Sequence, residues 1–427
     1  MHQATTGRFD IVEGMNYYQF FKQNAQFLLF GLFFTFFSGF GQTFFISLFS
    51  EEIRTTFALS HGSFGLIYSL ATLSSAATLI FVGRYLDRTQ LITYTVGVCI
   101  GFIIASSLFA LSPTVLWLGV GIYGLRLSCQ GLMTHTSMTS MARYFDAQRG
   151  KASSIATMGF PLSEAIFPVL GVAAMHAVGW RNTWLVVSSL GLLVVLPTMI
   201  GLLRGHQQRH TSWLLDMKRA TSSAAVPLKS WRMKEVLKDV RFYLVAPAVL
   251  TPAFVNTGIF FHQVALVEAK GWSLTWYATS FTGYAAATVV AAVIVGWLID
   301  RWNAIQLLPF YLLPIGFGLI ALAFLDSPWV ALLYMVLAGF TGGSASVLTN
   351  AMWAELYGVA SLGTIRSVAS AMMVFSSALS PVLLGIMLDL DFPMSILILL
   401  CLVITVIAVV PLFFLVRLQQ REVMVAR

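Results

Sequence analysis

The feature that most limits what this chain can become is the recurrence, from one end to the other, of apolar runs long enough to cross a lipid bilayer. A membrane helix needs about 20 mostly apolar residues to cover roughly 30 Å of hydrocarbon. Twelve stretches meet that requirement, at about 25–49, 62–86, 91–111, 114–141, 152–176, 183–203, 241–266, 275–299, 305–325, 328–353, 366–388 and 393–416. The short alternating segments of a membrane β-barrel do not occur, so helices are predicted throughout. Glycine and proline inside the runs do not argue against this, because neighbouring helices satisfy the freed backbone groups. Composition agrees: 58% of the 427 residues are hydrophobic and 10% are charged, with a mean hydropathy of +0.83. Soluble domains carry about 25% charged residues, which excludes a soluble enzyme, a disordered chain and a secreted disulfide scaffold. Cys99, Cys129 and Cys401 all fall in apolar runs and predict no disulfide. Phe9 to Lys22 is too polar for the core of a signal peptide, so the first run is read as a retained span.

Basic residues set the orientation, since Lys and Arg concentrate in cytoplasmic connections. With twelve spans, the termini and the even-numbered connections share one side. Only Arg54, Arg181 and Lys270 fall on the other side, and Arg126 lies within a span; the rest of the 25 Lys and Arg lie with the termini. Both termini are therefore expected in the cytoplasm. The excess over 17 acidic residues is a topology signal and implies no nucleic acid. The expected organisation is a six-helix half at 1–203, a cytoplasmic central loop at 204–240 and a second six-helix half at 241–427. Within the loop, Trp231, Val236, Leu237 and Val240 are spaced to form one face of a short surface helix, the alternative being a solvated linker.

The halves repeat at an offset of 213 residues. Gly83 and Asp87 in "GRYLDR" map onto Gly296 and Asp300 in "GWLIDR", Tyr144 maps onto Tyr357, and Pro168 maps onto Pro381. Four matches at one offset, each in the same relative span, indicate a duplicated six-helix unit, the plan of transporters that bind near the midplane between two rocking halves. The G-x-x-x-D-R element after the second span, its echo after the eighth, and "RYFDAQRGKA" after the fourth resemble the major facilitator superfamily over essentially the whole chain. The resemblance implies an all-α membrane protein of twelve helices in two pseudo-symmetric halves. It also implies that Gly83, Asp87 and Arg88, with Gly296, Asp300 and Arg301, form a cytoplasmic gate. Ordinary anchoring of basic residues explains Arg88 and Arg301 but not the placed acids.

Two ionisable residues of opposite sign sit deep in spans. Arg126 on the fourth and Glu164 on the fifth each lie about 12 residues in, roughly 18 Å at 1.5 Å per residue. Intramembrane ionisable residues mark function by default. Arginine offers a planar fork for carboxylate or phosphate, and a glutamate in a partly dry cavity can carry a proton. The competing reading is a buried structural ion pair between the two. On the fourth span Tyr123, Arg126, Gln130, Thr134 and Ser137 fall at steps of three or four, the pattern of an aqueous face, while Pro161 and Pro168 bracket Glu164 on the fifth. Gln42 on the first span, facing Asn256 and Gln263 on the seventh, completes the expected substrate-binding set. His135 and His262 read as packing residues, as do Phe33, Phe34, Phe36 and Phe37.

The superfamily's R-x-x-Q-G element, associated with proton coupling, is matched in part by Arg126, Gln130 and Gly131, with one extra residue between Arg and Gln. The glycine–proline motif of drug antiporters is poorly matched by "GFPLSEAIFPVLG". The chain is also similar to oxalate–formate and monocarboxylate carriers. Those hold their substrate with a basic residue in the C-terminal half, which the eighth span and the interior of the eleventh lack here. An anion would instead be held by Arg126.

No G-x-x-x-x-G-K-[ST] or H-E-x-x-H occurs, and the His and Cys spacing suits no metal. An enzyme, a cofactor and a metal are not expected. The expected protein is a monomeric, proton-coupled symporter of a small organic anion in a bacterial inner membrane or comparable plasma membrane, with the lipid bilayer and a small-molecule substrate as its partners. Glu164 and Arg126 would carry the proton coupling. The alternatives are proton-coupled efflux of amphipathic compounds and a non-transporting membrane sensor or binding protein.

Overall fold

The computed structural model describes residues 17–145, 148–220, 233–358 and 362–425. Among these residues, eleven helical stretches are long and apolar enough to cross a membrane. One of them, Arg149–Leu202, has 54 residues, about 80 Å at 1.5 Å per residue and more than twice a bilayer's hydrocarbon. It is two spans in one. At Gly179 the backbone swings to φ 80°, ψ 164°, a region essentially closed to residues with a Cβ, and the helix breaks there. Twelve spans result, as the apolar runs predict.

The first span runs as a helix over Tyr17–Phe37. It then loosens into a 3₁₀ turn at Ser38–Gly41 and an extended Gln42 before two short pieces, Thr43–Ile46 and Ser47–Phe49. The sequence predicts one unbroken helix to residue 49. The break follows from close packing: a Cβ on Gly41 would fall 2.5 Å from the carbonyl oxygen of Leu125. The second and third spans are His61–Val82 and Leu91–Leu111. The fourth is α-helical over Val115–Leu125 and Thr134–Tyr144 but π-helical between, over Arg126–Met133. Spans seven to twelve are Val240–Phe261, Leu274–Trp302, Ala304–Phe324, Trp329–Tyr357, Leu362–Asp389 and Met394–Val425.

Lipid offers no hydrogen bonds, so helix ends and bends find partners inside the protein. Gln26 donates to the carbonyls of Gly201, Leu202 and Arg204, closing the end of the sixth span. Glu355 accepts from the amides of Ala304 and Ile305 at the start of the ninth. Small residues permit the tightest crossings. A Cβ on Gly343 would collide with the carbonyl oxygen of Thr288, so glycine there lets the tenth span lie hard against the eighth. The second span packs on the eleventh, the fifth on the eighth and the seventh on the eleventh.

The central segment differs from its expectation. A helix forms at His206–Ala220, ahead of the predicted position, and packs on the end of the fourth span. Met233–Val236 makes a single turn with Val236 buried, whereas Leu237 and Val240 are exposed and so share no buried face with it. Trp231 lies outside the described residues. The helix at 206–220 forms where it does because Phe27, Tyr144 and Phe145 offer an aromatic surface beneath its first turns.

A methyl group placed on Gly179 would have nothing within 4 Å of it, so Gly179→Ala tests the backbone alone. The expected cost is about 1–3 kcal/mol, read as a lower Tm of the purified protein in detergent with no change in its oligomeric state.

Candidate functional site

The π-helical stretch of the fourth span gives Arg126 its setting. A π turn is an α-helix that has taken in one extra residue, and the extra residue between Arg126 and Gln130 lies inside it. Arg126 is 2% exposed. Its Nη1 donates to the carbonyl of Gly41 at 3.1 Å, a group freed by the break in the first span. Its guanidinium sits 5.1 Å from the centre of the Tyr68 ring on the second span. Nε is buried with no partner among the described residues. The carbonyl takes one of the guanidinium's five donors, and the buried Nε is left open to an acceptor.

Glu164 lies elsewhere. Arg126 faces the first and second spans, whereas the fifth span packs on the eighth and brings Glu164 within electrostatic reach of Tyr284. Among the described residues the two charges form no ion pair, so the reading of a buried Arg126–Glu164 pair is corrected. The cause is rotational. On the fifth span Ser163 and Phe167 turn toward the first span, where Gly39 meets Ser163 and Phe40 stacks on Phe167 at 4.1 Å, which carries Glu164 off to the side.

The expected aqueous stripe is divided as well. Tyr123 donates to Thr78 on the second span at 3.0 Å, and Ser137 donates to the carbonyl of Gly31 at 2.7 Å. Thr134 Oγ1 is buried without a partner among the described residues, and Gln130 is half-buried. The π turn resets the register, so residues three or four apart no longer share one face. Gln42 is half-buried at the break in the first span, and Asn256 Oδ1 is buried without a partner among the described residues. Gln263 lies beyond the helix break at His262 rather than on the same helix as Asn256. Its amide donates to the carbonyl of Phe44 at 2.9 Å and to Ser47 Oγ at 2.8 Å. It ties the seventh span's end to the first span rather than facing Gln42.

That junction belongs to a seam at the end of the bundle away from the termini. Ser47 donates to the carbonyl of Phe260 at 2.6 Å, and Ser69 donates to that of Ala378 at 2.5 Å. Asp389, at the end of the eleventh span, caps the start of the second. It accepts from the amides of His61 and Gly62, each at 2.9 Å, and from Ser60 Oγ at 2.6 Å. A carboxylate there is favoured by the helix dipole and by the unpaired amides of the first turn. Phe261 of the seventh span packs on Tyr68 at 4.7 Å, linking the seam to the Arg126 site. The His262 ring is hydrogen-bonded to the carbonyl of Pro381, 3.0 Å away, in line with its packing role. Nothing in the sequence marks Ser47, Ser69 or Asp389, because their partners, mostly backbone groups, lie hundreds of residues away.

At the opposite end, Asp87 pairs with Arg143 of the fourth span, within its own half. Gly83 is buried against the imidazole of His135, 3.3 Å from where a Cβ would stand. Arg88 and Asp300 are exposed, Gly296 has open space around it, and Arg301 lies 4.3 Å from the Trp297 ring centre. Among the described residues, only the first copy of the repeated element is knitted to a neighbouring span.

Two sets of six spans that meet in a seam at one end and surround buried charges at mid-depth define a membrane transporter of the rocking type. The chain belongs to the Major Facilitator Superfamily, whose family model matches residues 31–381 and again 253–424. Monocarboxylate transporter 13 of Bos taurus is 25% identical over 299 residues, 67% of this chain and 65% of that protein. The Rattus norvegicus protein of the same name is 26% identical over 278 residues, 64% of this chain and 60% of its own. The chain thus spans somewhat less than two thirds of these relatives' length. Among solved structures, a bacterial homolog of the human lysosomal transporter Spinster matches in its inward-facing, occupied conformation. The TM-score is 0.69 at 16% identity, covering 91% of this chain and 96% of that one. Its unoccupied inward-facing form matches with the same TM-score and identity. At that identity the likeness is one of fold.

The rim of the seam yields a pH prediction. Glu268, just past the seventh span, has its carboxyl raised to about 7 by partial burial, by its hydrogen bond to Glu51 of the other half, and by the charges of Glu51 and Glu52, against the opposing pull of Arg54. A carboxyl that holds its proton more tightly when folded stabilises the fold at low pH and loses that contribution as pH rises toward 7. Glu268→Gln is expected to flatten the fall in Tm between about pH 5 and 8, measured against wild type in the same detergent.

Proposed function

We propose that this transporter carries a small organic anion, a monocarboxylate in class, together with a proton by alternating access. The observation that carries the reading is Arg126, a fully buried guanidinium with one carbonyl partner and an unpaired Nε beside Tyr68. A cation so poorly partnered is costly to bury, and a carboxylate would satisfy it in a bidentate fork. The similarity to proteins named monocarboxylate transporters, at 25% and 26% identity, supports the substrate class. Glu164, with no cation beside it among the described residues, serves as the proton carrier, and Tyr284 of the opposite half lies within its electrostatic reach.

The halves 1–203 and 241–427 rock as bodies about the Arg126 site, and 204–240 joins them on the cytoplasmic side together with both termini. Asp87, Arg88 and Gly83, with Asp300, Arg301 and Gly296, close that side in the alternate state. The protein acts as a monomer in a bacterial inner membrane or equivalent plasma membrane. Gln42, Gln130 and Asn256 line the path near Arg126.

A second reading, efflux of amphipathic cations, is favoured by one observation: Glu164 has no basic partner among the described residues and lies within electrostatic reach of an aromatic residue, Tyr284, a setting that suits a lipophilic cation.

Uptake of labelled pyruvate, lactate and acetate into proteoliposomes under an imposed pH gradient tests the first reading. Arg126→Gln is expected to cut uptake about tenfold to a hundredfold, the scale of one charge-assisted hydrogen bond, and Arg126→Lys to recover only part of it. Glu164→Gln is expected to retain exchange of substrate for substrate while losing the stimulation by an inward proton gradient. Carboxylate transport that Arg126→Gln leaves at wild-type rate would sink the proposal. Resistance to lipophilic cations, lost in Glu164→Gln, would favour the second reading.

A further inference from the structure

The surface helix His206–Ala220 rests on the ends of the first and fourth spans through a cluster of basic side chains. The His206 ring stacks on Phe27 at 5.1 Å and meets Tyr144 edge-on at 4.7 Å. One turn on, the Arg209 guanidinium lies 4.3 Å from the Phe27 ring centre and 5.4 Å from that of Phe145. His210 Nδ1 is 2.9 Å from the Tyr144 hydroxyl. Arg143 comes up from the fourth span, paired with Asp87 and facing Trp213 at 5.6 Å.

Three nitrogens in this cluster are buried with no partner among the described residues: both ring nitrogens of His206, and Nη1 of Arg209. Buried polar groups are nearly always hydrogen-bonded, and each one left open is destabilising. Three of them on one face of one helix are not a packing accident of a single side chain. Their charge environment is one-sided. Burial, then Arg209, His210 and Arg143 hold the His206 imidazole down to about 4, far below its usual value. With Arg143 already paired with Asp87 and His210 with Tyr144, what remains open is the Arg209 Nη1 donor and the single N–H of the neutral His206 imidazole, both suited to an anionic acceptor. The helix N-terminus adds its own positive end at the same place. His206 and Arg209 are both half-buried as residues, while the three unpaired nitrogens themselves are enclosed.

We propose that His206, Arg209, His210 and Arg143 form a binding site for a phosphate group. Three charged oxygens can serve a guanidinium and two imidazoles at once, which a single carboxylate cannot. The site lies where the sixth span has just ended and the central helix begins, at the depth of the headgroups, where basic pockets between spans take anionic lipids. The phosphate comes from an anionic phospholipid or from a soluble phosphate compound. In either case it fastens the central helix to the first half. The site is separate from Arg126 and does not rest on the transport reading.

The test is a thermal-unfolding titration of the full-length protein with two probes: inorganic phosphate in detergent, and nanodiscs of phosphatidylglycerol against phosphatidylcholine. Wild type is expected to be stabilised by at least one probe. Arg209→Gln is expected to need about tenfold more of it for the same shift. His206→Phe keeps the stacking on Phe27 and removes the two unpaired nitrogens. It is therefore expected to raise the basal Tm while weakening the response, a combination that a purely structural histidine would not give. Response to phosphatidylglycerol alone identifies a lipid, and response to inorganic phosphate identifies a soluble ligand. If neither probe shifts wild type, or if His206→Phe and Arg209→Gln both respond as wild type does, the proposal is wrong. Should Arg209→Gln fail to fold, Arg209→Lys, which keeps a positive charge there but not the guanidinium fork that lies on Phe27, is expected to weaken the response and takes its place.

Discussion

Hydrocarbon cannot accept or donate a hydrogen bond, and the main departures from regular helix in this protein are matched by partners drawn from other spans. Where the first span loosens at Ser38–Gly41, the freed carbonyl of Gly41 goes to Arg126. Where the sixth ends, Gln26 gathers three carbonyls. Where the second begins, Asp389 supplies the cap from the other half. Irregular backbone in the membrane is therefore also a map of the contacts that matter. The Arg126 site exists because two such departures, a broken first span and a π turn in the fourth, lie against each other.

The separation of Arg126 from Glu164 gives the bundle a division of labour. The arginine sits within the first half, among the first, second and fourth spans, and is linked to the second half through the Tyr68–Phe261 contact. The glutamate lies across the fifth–eighth packing, opposite the second half. In the proposed mechanism a charge change at either residue acts on the contact between the halves, but along different pairs of helices. Coupling between two ligands in a rocking transporter requires that each bias the same two-state equilibrium, and this arrangement provides separate places from which to do so.

Much of the architecture is legible in the chain alone, because span length and apolar content are imposed by the bilayer itself. The fifth and sixth spans are separable although the helix is nearly continuous through them, since Gly179, Arg181 and Asn182 interrupt the apolar run just where the helix breaks. Arg126 and Glu164 are visible because ionisable residues are rare in such runs. Their partners are not: Gly41 and Tyr68 carry no charge, and helix rotation, which decides whether two buried groups meet, leaves no trace in one sequence. The extra residue between Arg126 and Gln130 is the outward sign of the π turn, but spacing counted in α-helical steps then assigns Tyr123 and Ser137 wrongly to a common face. In the central segment the apolar spacing at 231–240 suggests a surface helix, while the real one at 206–220 is held by stacking of histidine and arginine on aromatic rings, which hydropathy does not register.

The seam between the halves has one more property. Ser47 reaches the carbonyl of Phe260, Gln263 that of Phe44, Ser69 that of Ala378, and Asp389 the amides of His61 and Gly62. In each case a side chain of one half is matched to main chain of the other. Main-chain groups are the same whatever residue bears them, so these bonds call for no compensating change across the junction, in contrast to the side-chain pairs Gln263–Ser47 and Asp389–Ser60 beside them. The strength of these bonds can drift or be tuned one residue at a time, and pairwise covariation between the halves would register the side-chain pairs Gln263–Ser47, Asp389–Ser60 and Tyr68–Phe261 while passing over the main-chain bonds beside them.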